Sequence, residues 1–74
     1  MFEARRTDEL IQIASAGGGF ELTAAPRTTA ELIQIASAAA ASGAQLIFRG
    51  LGARPTAELI QIASAGKGRV VFGN

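Results

Sequence analysis

The apolar residues of this chain follow two alternating rhythms. The first has a helical period: within Thr7–Ala16, Leu10, Ile13 and Ala14 share one stripe, with Ile11 on its shoulder. The same decapeptide, Thr-x-Glu-Leu-Ile-Gln-Ile-Ala-Ser-Ala, returns at Thr29–Ala38 and Thr56–Ala65, and only x varies, Asp8 against Ala30 and Ala57. This pattern predicts three amphipathic helices over about 7–16, 29–42 and 56–65, the middle one longer because Ala39–Ser42 adds about one turn. The second rhythm has a period of two and predicts four strands: Met1–Arg6, with Phe2 and Ala4 on one side, then Phe20–Ala24, Gln45–Arg49 and Arg69–Phe72. The last strand has two possible registers. Counting from the helix end turns Arg69 and Val71 inward, whereas burying the largest side chain turns Val70 and Phe72 inward, and a one-residue slip exchanges the faces.

Local signals bound these segments. Thr7, Thr29 and Thr56 stand where an N-cap hydroxyl accepts a backbone N–H, and Glu9, Glu31 and Glu58 place a carboxylate in the positive first turn. Thr28 with Glu31 also has the spacing of a capping box, which would set the second cap one residue earlier. Gly17, Gly43 and Gly66 supply helix stops, and Pro26 ends the second strand.

The order β-α-β-α-β-α-β with short connections predicts parallel strands joined by helical crossovers. Strands covered on both faces read as continuous apolar runs, but these alternate, with Glu3, Arg5, Glu21, Thr23, Gln45 and Arg49 on the second face. The expected fold is therefore one two-layer α/β domain spanning 1–74. Four parallel strands lie in the order 1-2-3-4 with all three helices on one side, a short solenoid; a doubly wound order is the alternative. The copies recur at intervals of 22 and 27 residues, and the Phe-x-Leu strand followed by a helix resembles the coil of the leucine-rich repeats. The Leu-x-x-Leu-x-Leu-x-x-Asn core of that family is missing, so its partner-binding concave face is not implied.

Composition narrows the chemistry. There is no cysteine, histidine, tyrosine or tryptophan, which removes the commonest general base, the best nucleophile and the soft metal ligands. No enzyme activity, cofactor or metal is expected. A net charge of +1 creates no general field for nucleic acid or a membrane surface, and no apolar run approaches the ~20 residues that span a bilayer. The expectation is a soluble protein, cytoplasmic or recombinant, without a signal segment. Glu3 and Glu21 could face each other as paired carboxylates, but Arg5, Arg49 and Arg69 on the same face or its margin point to cross-strand ion pairs. Gly66-Lys67-Gly68 and Gly17-Gly18-Gly19 follow helices, where phosphate-binding loops precede them.

Two features remain as candidates for binding. Arg6, Arg27 and Arg54 each stand one or two residues before a helix cap, on the edge where parallel sheets place ligands and helix N-termini favour anions; a phosphate or carboxylate is the ligand this implies. The other feature is the identity of the copies at exposed positions, Gln12, Gln34, Gln61 and Ser15, Ser37, Ser64, while every loop differs. One helix reused with tailored loops resembles an idealised or engineered α/β repeat protein. An outer face of Gln, Ser and Ala also suits a repeated contact, and the last strand, with Arg69 and Val71, has nothing that blunts an exposed edge. The leading expectation is thus a structural, self-associating scaffold, a homo-oligomer in which a two-fold dimer is favoured over a ring or filament. A small anion-binding module, taking phosphate or nucleic acid on the arginine edge at the helix N-termini, is the alternative.

Overall fold

The computed structural model describes residues 2–73. Its elements follow in the order of a 3-10 turn Phe2–Ala4, helix α1 Thr7–Ser15, strand β1 Phe20–Thr23, helix α2 Thr29–Ser42, strand β2 Leu46–Arg49, helix α3 Thr56–Gly66 and strand β3 Val70–Gly73. These strands form one parallel sheet in the order β1-β2-β3, with Phe20 opposite Leu46 and Leu46 opposite Val70. Each strand follows its neighbour in sequence, with α2 and α3 as the crossovers. No helix is long and apolar enough to cross a membrane among the described residues.

Among the described residues the sheet has three strands and not the expected four. Met1 of the expected first strand lies outside the described residues, and Phe2–Ala4 winds into a 3-10 turn. Aligning the helix starts explains why. Arg5, Arg27 and Arg54 each lie two residues before the first helical threonine, and each N–H donates to the carbonyl three residues back, on Phe2, Ala24 and Leu51 respectively, all at 3.0 Å. Residues 2–5 are therefore the first copy of the turn that connects a strand to the next helix. Phe2 is apolar for the reason that Ala24 and Leu51 are buried: the position plugs the end of the core. Four alternating residues cannot distinguish such a plug from one side of a strand.

Alternation holds in the other strands. Phe20, Leu22, Leu46 and Phe48 are buried under the helices, whereas Glu21 and Thr23 on the opposite face are exposed. Pairing of Phe48 with Phe72 puts Val70 and Phe72 on the helix side, which selects the register that buries the larger side chain. The burial is incomplete: Val70 is half-buried and Phe72 is 39% exposed, because among the described residues no helix lies beyond α3 to cover the edge.

The helix layer runs α1-α2-α3, with α2 in the middle and packed against both neighbours. Its Leu32, Ile35, Ala36 and Ala39 are all fully buried. The Cβ-free residue at α3's last position has a packing reason: a Cβ on Gly66 would come within 2.5 Å of the Val70 side chain. Gly66 is thus not the stop that the sequence suggests. The helix runs through it, and Lys67 takes the left-handed conformation at φ 49°, a place where glycine or asparagine is the usual occupant. Gly43 does close α2 as expected, at φ 85°.

Candidate functional site

The residues singled out before the helix caps come together as a seam between repeats. The helices start one residue earlier than a threonine N-cap would require: Thr7, Thr29 and Thr56 are the first helical residues, and the caps are Arg6, Thr28 and Pro55. Of these three caps, Thr28 is the one whose side chain is an ordinary capping hydroxyl. Its Oγ1 accepts the Glu31 N–H at 3.2 Å, and Glu31 Oε1 accepts the Thr28 N–H at 2.9 Å, a reciprocal capping box. At the first helix Glu9 Oε1 accepts the Arg6 N–H at 3.1 Å.

Relieved of capping, two of the threonines join successive repeats. Thr7 Oγ1 accepts from Arg27 Nη1 at 2.8 Å and donates to Glu31 Oε2 at 3.2 Å. One repeat on, Thr29 Oγ1 accepts from Arg54 Nη1 at 2.7 Å and donates to Glu58 Oε1 at 2.9 Å. The second arm of each arginine reaches the turn of the preceding repeat. Arg27 Nη2 donates to the carbonyls of Arg5, at 2.5 Å, and Glu3, at 3.3 Å, and Arg54 Nη2 to those of Arg27 and Ala25, the latter at 3.0 Å. Each seam is thus one threonine of the earlier repeat held between an arginine and a glutamate of the later one. The main-chain N–H of Thr28 holds the Glu31 carboxyl below its ordinary range, and the Thr7 and Thr28 hydroxyls and the Arg27 charge act in the same direction against the opposing effect of desolvation.

This geometry changes the meaning of the arginine row. Arg27 and Arg54 are half-buried, and both terminal nitrogens of each are engaged by acceptors of the same chain. Arg6 is exposed and pairs with Asp8, its Nε and Nη2 each 3.2 Å from a carboxylate oxygen. The true counterpart of Arg27 and Arg54 is Arg5, which a comparison of the copies extended two residues upstream reveals. Arg5 is exposed, and its guanidinium makes no hydrogen bond among the described residues.

Other candidates fall apart from the seam. Gln12, Gln34, Gln61, Ser15, Ser37 and Ser64 are placed by the sequence pattern on the outer side of the helix layer, away from the buried stripe, and all six are exposed. Arg69 is exposed at the entry to β3, where its carbonyl accepts the Leu46 N–H at 2.8 Å, and Val71 is 47% exposed on the face of the sheet opposite the helices. On that face Arg49 pairs with Glu21 across β1 and β2. Glu3 instead accepts the Thr23 N–H at 3.1 Å, and both carboxylates line a shallow cavity of about 320 Å³ together with Phe2 and Thr23. Among the described residues no three side chains of metal-ligating type are grouped to hold an ion.

The residues that periodicity alone does not single out belong to the end of the layer. Leu10 and Ala14 are buried beneath α2, and Leu32 and Ala36 beneath α3; their counterparts Leu59 and Ala63 are half-buried and exposed. Ile11 and Ile33 are half-buried, whereas Ile60 is 58% exposed. The Thr56 hydroxyl, third in the threonine series, makes no hydrogen bond among the described residues. α3 therefore presents, open, the seam that α1 and α2 present closed.

Taken together these features define a parallel α/β protein of a few units that share a near-identical helix, with helices on one face and a seam repeated between units. No family model matches the chain, nor does any curated protein or solved structure.

Proposed function

We propose that the protein is a non-catalytic α/β repeat scaffold whose role is to associate with itself. The observation that carries this reading is the contrast between copies: Leu59 is half-buried and Ile60 and Ala63 are exposed, whereas in the two earlier helices the same leucine and alanine are buried and the same isoleucine is half-buried. Fully burying a side chain of isoleucine size stabilises by about 1.5–3 kcal/mol, so closing this face is worth several kcal/mol before the cost of association. The edge of β3 adds main-chain donors and acceptors beside it. In a chain of 74 residues, where one core contributes little beyond marginal stability, such a surface also supports the fold that bears it. Reuse of one decapeptide at buried and exposed positions alike supports an engineered origin, with the seam as the designed element and the loops as the variable one.

Sedimentation velocity from low to high micromolar concentration tests the proposal. The expected result is a weight-average mass that climbs above the 7.6 kDa of a single chain as concentration rises. A folded monomer throughout the range overturns it.

A further inference from the structure

Resting on self-association, we infer that the partner is a second copy docked head to tail: its α1 becomes the fourth helix of the layer and its β1 the fourth strand of the sheet. The chain already contains this interface twice. What α3 needs from a follower is set by what α2 and α3 themselves supply to their predecessors, namely an arginine two residues before the first helical position and a glutamate two residues after it. Arg27 with Glu31 meets this for Thr7, and Arg54 with Glu58 for Thr29. The first repeat carries the same pair, Arg5 and Glu9, at the same spacing.

Both members of that pair are available. The Arg5 guanidinium makes no hydrogen bond among the described residues. Glu9 accepts the Arg6 N–H through Oε1, the oxygen that in Glu31 accepts the Thr28 N–H. Its Oε2 is the counterpart of the Glu31 oxygen that receives Thr7. Docked one unit beyond α3, Arg5 of the second copy donates to Thr56 Oγ1 and to the carbonyls of Arg54 and Gly52, the positions equivalent to Arg27 and Ala25, and Thr56 donates to Glu9.

The apolar surfaces match by the same rule. The flank that faces a preceding helix carries Ile35 and Ile62, both buried, and Ala38 and Ala65, both half-buried; at the first helix Ile13 is only half-buried and Ala16 is exposed. Ile13 and Ala16 of one copy are therefore the open complement of Leu59, Ile60 and Ala63 of another. In the sheet, the Ala24 N–H donates to Arg49 O at 2.9 Å and the Leu46 N–H to Arg69 O at 2.8 Å, so even-numbered residues of each strand point their main-chain groups to the next strand. By that alternation the main-chain groups of Val70 and Phe72 point outward from β3, toward the odd-numbered groups of the incoming β1. The Glu3 carboxylate, which accepts from Thr23 at 3.1 Å on that edge, is exposed and gives way to a strand carbonyl. Two-fold pairing of two β3 edges would bring Ile60 near its own copy, but the two α3 helices would then run antiparallel, which carries Thr56 toward the C-terminal end of the partner's helix and answers neither Arg5 nor Glu9. The head-to-tail arrangement is heterologous, so it grows into a ring or a filament, in contrast to the two-fold dimer suggested by the prevalence of closed pairs.

The test uses two variants, each disabling one end at exposed positions so that folding is retained. Ile60→Lys blocks the tail, and Arg5→Glu with Ala16→Glu blocks the head. The expected result is that each variant alone sediments as a monomer, while an equimolar mixture forms a 1:1 complex and goes no further, because a single head–tail pair remains intact. Thr56→Val should weaken association of the otherwise unmodified chain at least about tenfold, because the hydroxyl loses its hydrogen bonds to two charged partners, Arg5 and Glu9. A monomeric unmodified protein removes self-association altogether. If the unmodified protein associates but the head variant still forms a dimer alone, the contact is tail to tail, and this inference falls while self-association stands. It falls equally if the tail variant dimerises alone, or if both variants associate and Gln34→Glu with Gln61→Glu abolishes it, placing the contact on the outer helix face.

Discussion

Threonines that look alike in the sequence act differently one residue apart. Thr28 accepts a backbone N–H and closes a capping box, whereas Thr29, the next residue, starts the helix and turns its hydroxyl toward Arg54 and Glu58. Thr28→Ala should accordingly cost about 0.5–2 kcal/mol in denaturant titration, the ordinary loss for a cap. Thr56→Ala should leave the stability of the isolated chain within about 0.5 kcal/mol, since that hydroxyl has no partner to lose among the described residues. The capping role of Thr28 is legible in the sequence because Glu31 sits three residues away. The bridging role of Thr29 is not, because its arginine lies 25 residues along the chain, a distance at which spacing carries no geometric information. Lys67 is a similar case: nothing in Gly66-Lys67-Gly68 says that the first glycine is reserved for contact with Val70 and that lysine must take the left-handed turn.

At the level of elements, the three helices and the last three strands can be read from periodicity, since a stripe facing a core and an alternation facing a sheet are the physical causes of those patterns. The first expected strand fails because the same plug of the core can be made by a turn, and only a comparison of Phe2, Ala24 and Leu51 across the three connections separates them. Seams between elements are where charge enters the stability of this protein, and acidification probes them. Because the Glu31 carboxyl is held below its ordinary value of 4.5, the unfolded chain takes up its proton first as pH falls. Its contribution is fully present above 4.5 and disappears as pH drops through the lower native value. Denaturant midpoints measured at a series of pH values should therefore show Glu31→Gln below the unmodified protein at neutral pH, with the gap closing on descent through the carboxylate range. A constant gap would assign Glu31 a role independent of its charge.

On the scale of the whole molecule, the position of α2 between two neighbours has a consequence for how the protein comes apart. Contacts run mainly from each repeat to the next, as in any linear array, so opening needs to break one interface at an end but two in the middle. The ends are also unequal. The first repeat is pinned by Arg27, which grips the carbonyls of Glu3 and Arg5, and by the ring of Phe2 against Phe20, with centroids 5.2 Å apart. At the other end β3 is the last strand of the sheet, and its Val71 and Phe72 face water in large part. In native-state hydrogen exchange of dilute protein, amides of α2 around Ile35 and Ala36 should be the last to exchange and those of β3 the first, with the ladder between β2 and β3 opening as a unit before the rest unfolds. The three near-identical decapeptides would then report three different lifetimes, and the order of those lifetimes would depend on place in the row, since their amino-acid content is all but the same.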